Sequence, residues 1–482
     1  MKRLTRLLVI AMVLCLLCVS LSACSGKDGK VTAGFNANNL LRPPRLTGDQ
    51  AGVQNALSEN IKKKYTLKYP RSGDYRSAVV YQDLNNDGLE EVLAFYKLDD
   101  ESFIHIMMLQ CQIDQNGQES WSCVSDTPAP SSDIEFISFE DLNDDGVPEV
   151  ITGWKSASPV DNQIVVYSMQ GNSLSQRFSE KYTEVQVVDL DDDGIQELLL
   201  ISLDSTSMTA SANLYKFRQH EDGNSSFDLM GTTPMDGYVS SGSSSSPYAS
   251  VAVGELRPGI TAVFVDGYKS STSSSSSFTS SITEVLYWRQ EDSQLVNLFF
   301  NAQTKTVEET LRPVQMVSSD INGDGWIEIP SVRELPGYEK KPESDKLWLT
   351  NWTRYSGYLD EKQGFDKEVA LSCVMNKTEG YYFAFPDEWL GYVTAQNQPG
   401  DRTLTFYRWD SLPDSAQMGE ALLHIRVVQS AQWNANPPEG YFRVMSKGDI
   451  VLAAQITEAG QNDEDLGLSE NMVISSLSWF NS

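Results

Sequence analysis

Short apolar runs recur along most of the chain and are separated by polar turns. Residues 78–81, 92–96 and 164–169 are three such runs. Each is short and rich in β-branched or aromatic residues, which predicts a strand rather than a helix. The pattern predicts a mainly β region over residues 70–375. Before it, residues 47–69 have the looser apolar spacing of an N-terminal helical segment.

An acidic segment interrupts this pattern four times, each time between two apolar runs. In residues 189–198, carboxylates stand at positions 1, 3, 5 and 9 and glycine at position 6. A calcium loop takes oxygen ligands at such spacing, with a backbone carbonyl from position 7, and the glycine permits the sharp turn. A single copy could be an Asx turn, but four copies predict calcium binding. The predicted ligands are Asp83, Asn85, Asp87, Leu89 and Glu91; Asp141, Asn143, Asp145, Val147 and Glu149; Asp189, Asp191, Asp193, Ile195 and Glu197; and Asp320, Asn322, Asp324, Trp326 and Glu328.

These segments, named here the Asp83, Asp141, Asp189 and Asp320 loops, are not EF-hands. An EF-hand needs a bidentate glutamate at position 12 and a helix on each side. Strands are predicted on both sides of these loops, and no glutamate stands at position 12. At its ligand positions the Asp189 loop has four carboxylates, where each of the others has three because position 3 is asparagine. Because ligand charge raises cation affinity, we expect the tightest binding there.

The spacing of the loops leaves room for a fifth repeat. Three loops begin at residues 83, 141 and 189, and the fourth begins only at residue 320. Residues 254–263, between them, keep the glycine at position 6 and the apolar residues at 7 and 10, but lack the oxygen ligands. We expect the same strand–loop–strand backbone there, without a metal ion.

These loops resemble the FG-GAP or VCBS repeats of integrin α-type β-propellers. The resemblance covers residues 70–375 and implies a calcium-binding propeller in which each loop joins two strands of a blade. Position 9 is glutamate in every copy, where aspartate is common in the family. Five repeats are counted where seven blades are usual, so up to seven blades remain open. The ions would be structural.

Residues 376–482 have a different texture and predict a separate C-terminal domain. An apolar strand runs into a Phe-Pro-x-x-Trp segment at residues 385–389, and further strands follow. Residues 469–480 are predicted to form a closing helix. The order is similar to the PsbP or Mog1-like fold, which implies an α/β sandwich. The alternative is a small α+β domain of another type.

The N-terminus predicts export and anchoring. Residues 1–23 combine a basic start with a short apolar stretch, as a signal peptide does. Residues 21–24 resemble a bacterial lipobox, which implies a lipoprotein diacylated on Cys24 and tethered by residues 24–46. Two acyl chains suffice for stable anchoring at the extracytoplasmic face of the cell membrane. A plain signal peptide or a short membrane anchor is the alternative.

The chain is strongly acidic, with a formal net charge of −29. A surface of this charge repels nucleic acid and anionic lipid headgroups, so neither is expected as a partner. The four loops account for part of the charge, and bound divalent ions would offset it.

Two cysteines of the β region are close in sequence. Cys111 and Cys123 flank a hairpin turn signal at residues 114–117. Facing each other across that hairpin, they could form a disulfide in an oxidising compartment. A reduced pair is the alternative.

No catalytic motif is found in the sequence. The three histidines are far apart, and no nucleophile or phosphate-binding motif occurs. The chain is therefore predicted not to be an enzyme but to act in adhesion or in recognition of a protein or glycan. A polysaccharide-degrading glycosidase or lyase, or its accessory subunit, is the alternative. Sugar contacts or core packing are the two roles open to Trp154, Trp326, Trp348 and Trp352.

The anchoring prediction is tested by Cys24→Ala. Because the variant lacks the thiol that would be acylated, we expect it in the soluble fraction or as an unprocessed precursor. Fractionation and gel mobility measure this. Partition and mobility identical to those of the wild type would contradict it.

Overall fold

The computed structural model describes residues 47–480, apart from residues 114, 116, 118, 159–160, 220–224, 241–246, 271–278, 343–344, 361–362 and 413–414. The predicted signal peptide, Cys24 and the tether lie outside the described residues. From Asp49 onward the chain forms one compact unit. Among the described helices, none is both long and apolar enough to cross a membrane.

Among the described residues, the N-terminal half contains one helix, α1 (Thr47–Asn60), and three antiparallel sheets. In each sheet the strands follow one another in chain order, except that β1 and β2 both pair with β3. The first sheet contains β1 (Tyr65–Leu67), β2 (Val79–Gln82), β3 (Glu91–Leu98), β4 (His105–Ile113) and β5 (Glu119–Pro128). The second contains β6 (Asp133–Glu140), β7 (Glu149–Lys155), β8 (Gln163–Gln170) and β9 (Ser173–Lys181). The third contains β10 (Glu184–Val188), β11 (Glu197–Asp204), β12 (Thr209–Gln219) and β13 (Ser225–Met235).

Two more large sheets and a small hairpin follow. In the fourth sheet β14 and β15 both pair with β16, and in the fifth the last strand of the chain, β30, adds to β24. The fourth sheet contains β14 (Val239–Ser240), β15 (Tyr248–Arg257), β16 (Ile260–Ser270), β17 (Thr279–Arg289) and β18 (Gln294–Asn297). The hairpin pairs β19 (Phe300–Asn301) with β20 (Thr306–Val307). The fifth sheet contains β21 (Ile329–Glu334), β22 (Trp348–Asp360), β23 (Gly364–Asn376), β24 (Tyr381–Ala384) and β30 (Leu477–Trp479).

The sixth sheet has the order β25-β26-β27-β29-β28 and carries short helices. Its strands are β25 (Val393–Gln398), β26 (Thr403–Leu412), β27 (Ser415–Gln429), β28 (Phe442–Lys447) and β29 (Ile450–Ile456). The helices near it are α2 (Ser430–Ala435), α3 (Glu458–Asn462) and α4 (Glu470–Ser476). A sheet with segregated short helices is an α+β arrangement.

Consecutive sheets share apolar cores, which explains the unbroken apolar runs in the sequence. Phe95 and Trp154 lie in one core between the first and second sheets. Val166 and Leu200 join the second and third. A central strand that is covered on both faces is apolar at successive positions instead of alternating, as β3 and β11 are. The prediction of a mainly β fold is confirmed.

The predicted segment boundaries differ from the structure at both ends of the β region. The helical segment was predicted over residues 47–69, but α1 ends at Asn60 and residues 65–67 pair with β3 as β1. The boundary predicted at residue 376 falls between β23 and β24, which are neighbours in one sheet. The closing helix predicted over 469–480 is α4 followed by β30. The local β23–β24 hairpin crosses the predicted boundary, and the long-range pairing of β24 with β30 ends the closing helix early.

The repeat at residues 254–263 is a tight hairpin. β15 and β16 stay paired up to Arg257 and Ile260, and Gly259 turns the chain with a φ of 76°. In the Asp83 loop, by contrast, the ladder stops at Gln82 and Glu91. The strands and the glycine conformation are as expected, but the open loop is absent. The ligand positions of this repeat have no carboxylates that need backbone donors from an open loop. The two strands therefore stay paired up to the turn.

Cys111 and Cys123 are not joined by a disulfide. Cys111 lies opposite Trp121, and Cys123 lies opposite Leu109. The two thiols are therefore diagonal neighbours, and diagonal positions are separated by about 7–8 Å between Cα atoms. Of the two alternatives, the structure has the reduced pair.

Burial of Glu284 predicts a pH-dependent stability. Burial raises the pKa of Glu284 to about 7 from its ordinary 4.5, although its carboxylate accepts hydrogen bonds from Asn297 and from the Asp236 N–H. Between pH 4.5 and 7 the unfolded chain releases this proton first, so this contribution to stability is lost as pH rises.

Glu284→Gln has no ionisable carboxyl at this position, so its loss of stability with rising pH disappears. The wild-type free energy of unfolding minus that of the variant should fall by roughly 3 kcal/mol from pH 4.5 to 7. Urea denaturation across this range measures it, with the exposed Glu291→Gln as the matched control. Parallel pH profiles for wild type and Glu284→Gln would refute the assignment.

Candidate acidic-loop site

The Asp83, Asp141 and Asp189 loops connect β2 to β3, β6 to β7 and β10 to β11. The Asp320 loop leads into β21. All four have the same backbone conformation at their glycines: φ is 86° at Gly88, 82° at Gly146, 91° at Gly194 and 92° at Gly325. Position 4 is also left-handed in every loop. It is occupied by residue types that tolerate this conformation, Asn86, Asp144, Asp192 and Gly323.

The first carboxylate of each loop is bound by the loop's own backbone. Asp83 Oδ2 accepts the Gly88 N–H at 3.0 Å, and the position-5 carboxylate of Asp87 accepts the Leu89 N–H at 2.8 Å. The same two bonds form in the other three loops. The loop backbone thus fixes the carboxylates at positions 1 and 5, which are oxygen ligands of the type that a hard cation takes.

The glutamate at position 9, called here the closing glutamate, is buried in every loop. Glu91, Glu149, Glu197 and Glu328 are at most 2 % exposed. In each, Oε2 accepts the backbone N–H of position 2, at 2.9 Å in the first three loops and 3.3 Å in the fourth. Burial raises the pKa of Glu149 to about 7 and that of Glu91 above its ordinary value. A buried carboxylate needs a donor for its second oxygen as well.

The loops differ in the donor to Oε1 of the closing glutamate. In the Asp83 and Asp141 loops it is the side-chain amide at position 3. Asn85 Nδ2 donates to Glu91 at 2.8 Å, and Asn143 Nδ2 donates to Glu149 at 2.7 Å. These two loops are closed by neutral donors of their own.

In the Asp189 and Asp320 loops the donor to Oε1 is a cationic side chain from another strand. Lys216 Nζ, on β12, lies 2.7 Å from Glu197, 2.8 Å from Asp191 and 2.6 Å from Asp193. Burial lowers the pKa of Lys216, but its bonds to these carboxylates outweigh burial and the net shift is upward, so it is an ammonium.

The Asp320 loop has an arginine in the corresponding place. Arg354 Nη2, on β22, contacts Asp324 and Glu328, and its guanidinium stacks over the Trp326 ring at 4.5 Å. Neither Lys216 nor Arg354 lies in a local sequence motif. Both are cations on the strand that pairs with the strand of the closing glutamate. They can be recognised only when the register of that pair is known.

The Asp189 loop has oxygen ligands of the type that a metal ion takes, but the Lys216 ammonium lies among three of them. Ligand atoms of Asp189, Asp191, Asp193 and Glu197 lie within 4.8 Å of one another, so this group could hold one. Asp189 Oδ1 is buried and has no hydrogen-bond partner. The remaining loops offer the predicted oxygen types, with asparagine at position 3. Such sets of oxygens fit hard cations.

The tryptophans considered for sugar contacts lie in two kinds of environment. Trp154 and Trp352 are buried at 0 % and 3 % exposure, so they pack in the core. Trp326 and Trp348 are half-buried beneath Arg354 and Lys346. Trp409, for which the sequence has no motif, borders a cavity.

That cavity, of about 800 Å³, lies on the sixth sheet and its neighbouring loops. Two aromatic rings border it, and Tyr392 is 63 % exposed. Three carboxylates and one guanidinium accompany them. The residues concerned are Glu388, Tyr392, Arg408, Trp409, Asp410 and Asp465, with Leu466 completing the wall.

The described histidines are held by neighbours within the sheets. His105 Nε2 lies 2.8 Å from Glu101, and Nδ1 lies 3.2 Å from Asp126. His424 Nδ1 lies 2.9 Å from the Thr405 hydroxyl. His105 is thus paired with carboxylates and His424 with a hydroxyl, and His220 lies outside the described residues.

No protein-family model and no curated protein matches the sequence. Among solved structures, the chain is similar to a protein from Lactobacillus plantarum, with TM-score 0.26, 9% identity and coverage of 73% of this chain and 86% of that one. It is also similar to the rhamnogalacturonan lyase YesW, with TM-score 0.23, 12% identity and coverage of 50% and 57%. A third is exo-β-1,3-galactanase from Phanerochaete chrysosporium in complex with galactose, with TM-score 0.24, 10% identity and coverage of 83% and 90%. Such low scores define no shared fold.

The closing glutamates should stabilise the fold even in the presence of a chelator. In Glu149→Ala the buried N–H of Leu142 loses its acceptor, so we expect a loss of about 1–3 kcal/mol in the free energy of unfolding. Glu149→Gln keeps an acceptor oxygen and should lose less. Denaturation in EDTA measures both, with Asp144→Asn, at an exposed loop position, as the control. Equal stability of Glu149→Ala and wild type would contradict this.

Proposed function

We propose that the protein is a lipid-anchored, extracytoplasmic glycan-recognition protein whose antiparallel sheets are propeller-type blades stiffened by calcium at acidic loops. The observation that carries glycan recognition is the cavity bordered by Tyr392 and Trp409. An exposed aromatic face stacks on the apolar face of a sugar ring, and carboxylates accept hydrogen bonds from its hydroxyls.

The aromatic wall of this cavity is held by close packing. A Cβ added to Gly337, which has a φ of 85°, would come within 2.6 Å of the Trp409 ring. Arg408 is fixed by Asp463 at 2.5 Å, and its Nε lies 3.4 Å from Asp410. A wall positioned in this way lowers the entropy cost of binding a ligand.

Calcium would have a structural role in this proposal. The loops offer only oxygen donors, and their left-handed positions fix the turn. A bound ion would fix the start of the strand that follows each loop, where the closing glutamate lies. Membrane anchoring rests on the lipobox resemblance at Cys24.

Catalysis on polysaccharide is the second candidate function. The same cavity contains Glu388, Asp410 and Asp465. Glycosidases use a pair of carboxyl groups on either side of the scissile bond. This candidate shares the ligand class with the first, so one experiment separates them.

The test is a glycan array probed with the full chain in detergent, followed by a product assay on each polysaccharide bound. We expect binding without new reducing ends or unsaturated products. Tyr392→Ala should weaken binding about 10-fold, which corresponds to about 1.4 kcal/mol. Tyr69→Ala, at another exposed tyrosine outside the cavity, is the control.

Turnover that is abolished by Glu388→Gln or Asp410→Asn would establish the enzyme instead. Binding that is insensitive to Tyr392→Ala would remove the cavity from the proposal. Failure to bind any glycan would leave protein as the ligand class.

A further inference from the structure

One ladder position in each loop-bearing sheet faces the closing glutamate. In the third sheet Leu198 pairs with Tyr215, so the next pair is Glu197 with Lys216. In the fifth sheet Ile329 pairs with Thr353, which places Arg354 opposite Glu328. We call this the facing position. Its side chain lies on the same face of the sheet as the closing carboxylate.

The facing position is neutral in the first two sheets. Val92 pairs with Leu109, which places Gln110 opposite Glu91. Val150 pairs with Tyr167, which places Ser168 opposite Glu149. The same two sheets close their loops with the amide at position 3. The two loops that carry a facing cation are the two whose closing Oε1 has no amide from position 3.

Lys216 takes the place that a metal ion would need. Its side chain is 5 % exposed, and its three N–H groups can be used completely on Asp191, Asp193 and Glu197. An ammonium has only three donors, whereas calcium takes six to eight oxygens. The partnerless Asp189 Oδ1 is the oxygen that this three-donor cation leaves over.

Arg354 is placed in the same way. Its Nη2 bridges Asp324 and Glu328, the carboxylates at positions 5 and 9. Its contact with the Trp326 ring holds the guanidinium over the loop. A divalent ion among these oxygens would lie next to a fixed positive charge.

We propose that the four loops divide by the source of their cation. The Asp83 and Asp141 loops bind calcium, and the Asp189 and Asp320 loops are held by Lys216 and Arg354 and bind none. The inference rests on the proposed calcium binding. It reverses the order expected from the carboxylate count, because the fourth carboxylate of the Asp189 loop is matched by a lysine.

The test is calcium titration calorimetry on the full chain in detergent after treatment with chelator. We expect two ions per wild-type chain, three for Lys216→Met, three for Arg354→Met and four for the double variant. Lys181→Met, which removes an exposed lysine paired with Asp161, should still bind two. In the opposite direction, Ser168→Lys brings a cation to Glu149 and should leave one ion.

Terbium luminescence adds a readout specific to one loop. Trp326 is part of the Asp320 loop, so Arg354→Met should gain tryptophan-sensitised terbium emission that a further Trp326→Phe change removes. The wild type should lack this component. Should Lys216→Met be too unstable for calorimetry, its melting temperature should rise with calcium more than that of the wild type.

The outcomes separate this inference from the proposed function. No calcium bound by wild type or by any variant would overturn calcium binding itself. Four ions in the wild type, or a wild-type stoichiometry unchanged in both methionine variants and in Ser168→Lys, would overturn the division of the loops while leaving calcium binding in place.

Discussion

A carboxylate that is buried on folding must be met by donors, and the closing glutamates show how strongly this condition shapes the chain. Each stands at the first residue of a strand or next to it, with no more than 2 % of its surface exposed. Its Oε2 takes the backbone N–H of position 2, which fixes how the loop leaves the preceding strand. Its Oε1 takes either an amide from within the loop or a cation from the neighbouring strand. The turn, the strand ends and the local charge all follow from these two bonds.

The two ways of satisfying Oε1 have different physical consequences. A side-chain cation belongs to the chain itself. The closing glutamates of the Asp189 and Asp320 loops therefore have their donors as soon as the strands pair. An amide closes the carboxylate but neutralises nothing, which leaves the acidic charge of the Asp83 and Asp141 loops to solvent or to a metal ion. The charge of these two loops is therefore expected to depend on dissolved ions.

Much of the fold and of the site could be predicted because both have local signals. The apolar runs predict the strands. The glycine at position 6, Gly88 and its equivalents, predicts the turn of each loop. Lys216 and Arg354 had no local signal, since each lies many residues from its loop and faces it only through the register of a ladder. Tyr392 and Trp409 were missed for the same reason. The Trp409 N–H donates to the Tyr392 carbonyl at 2.7 Å, beside the pair of β25 and β26, and neither residue lies in a motif.

The last strand has a consequence for how the chain assembles. β30 joins β24 across most of the C-terminal sequence, so the edge of the fifth sheet stays open until residues 477–479 have been made. Contacts between such distant segments form late and are entropically costly. A polypeptide synthesised from its N-terminus can complete its first four sheets while the fifth still exposes a strand edge. Residues 477–479 thus complete the fifth sheet. A nascent chain that lacks them exposes a strand edge that can pair with other chains.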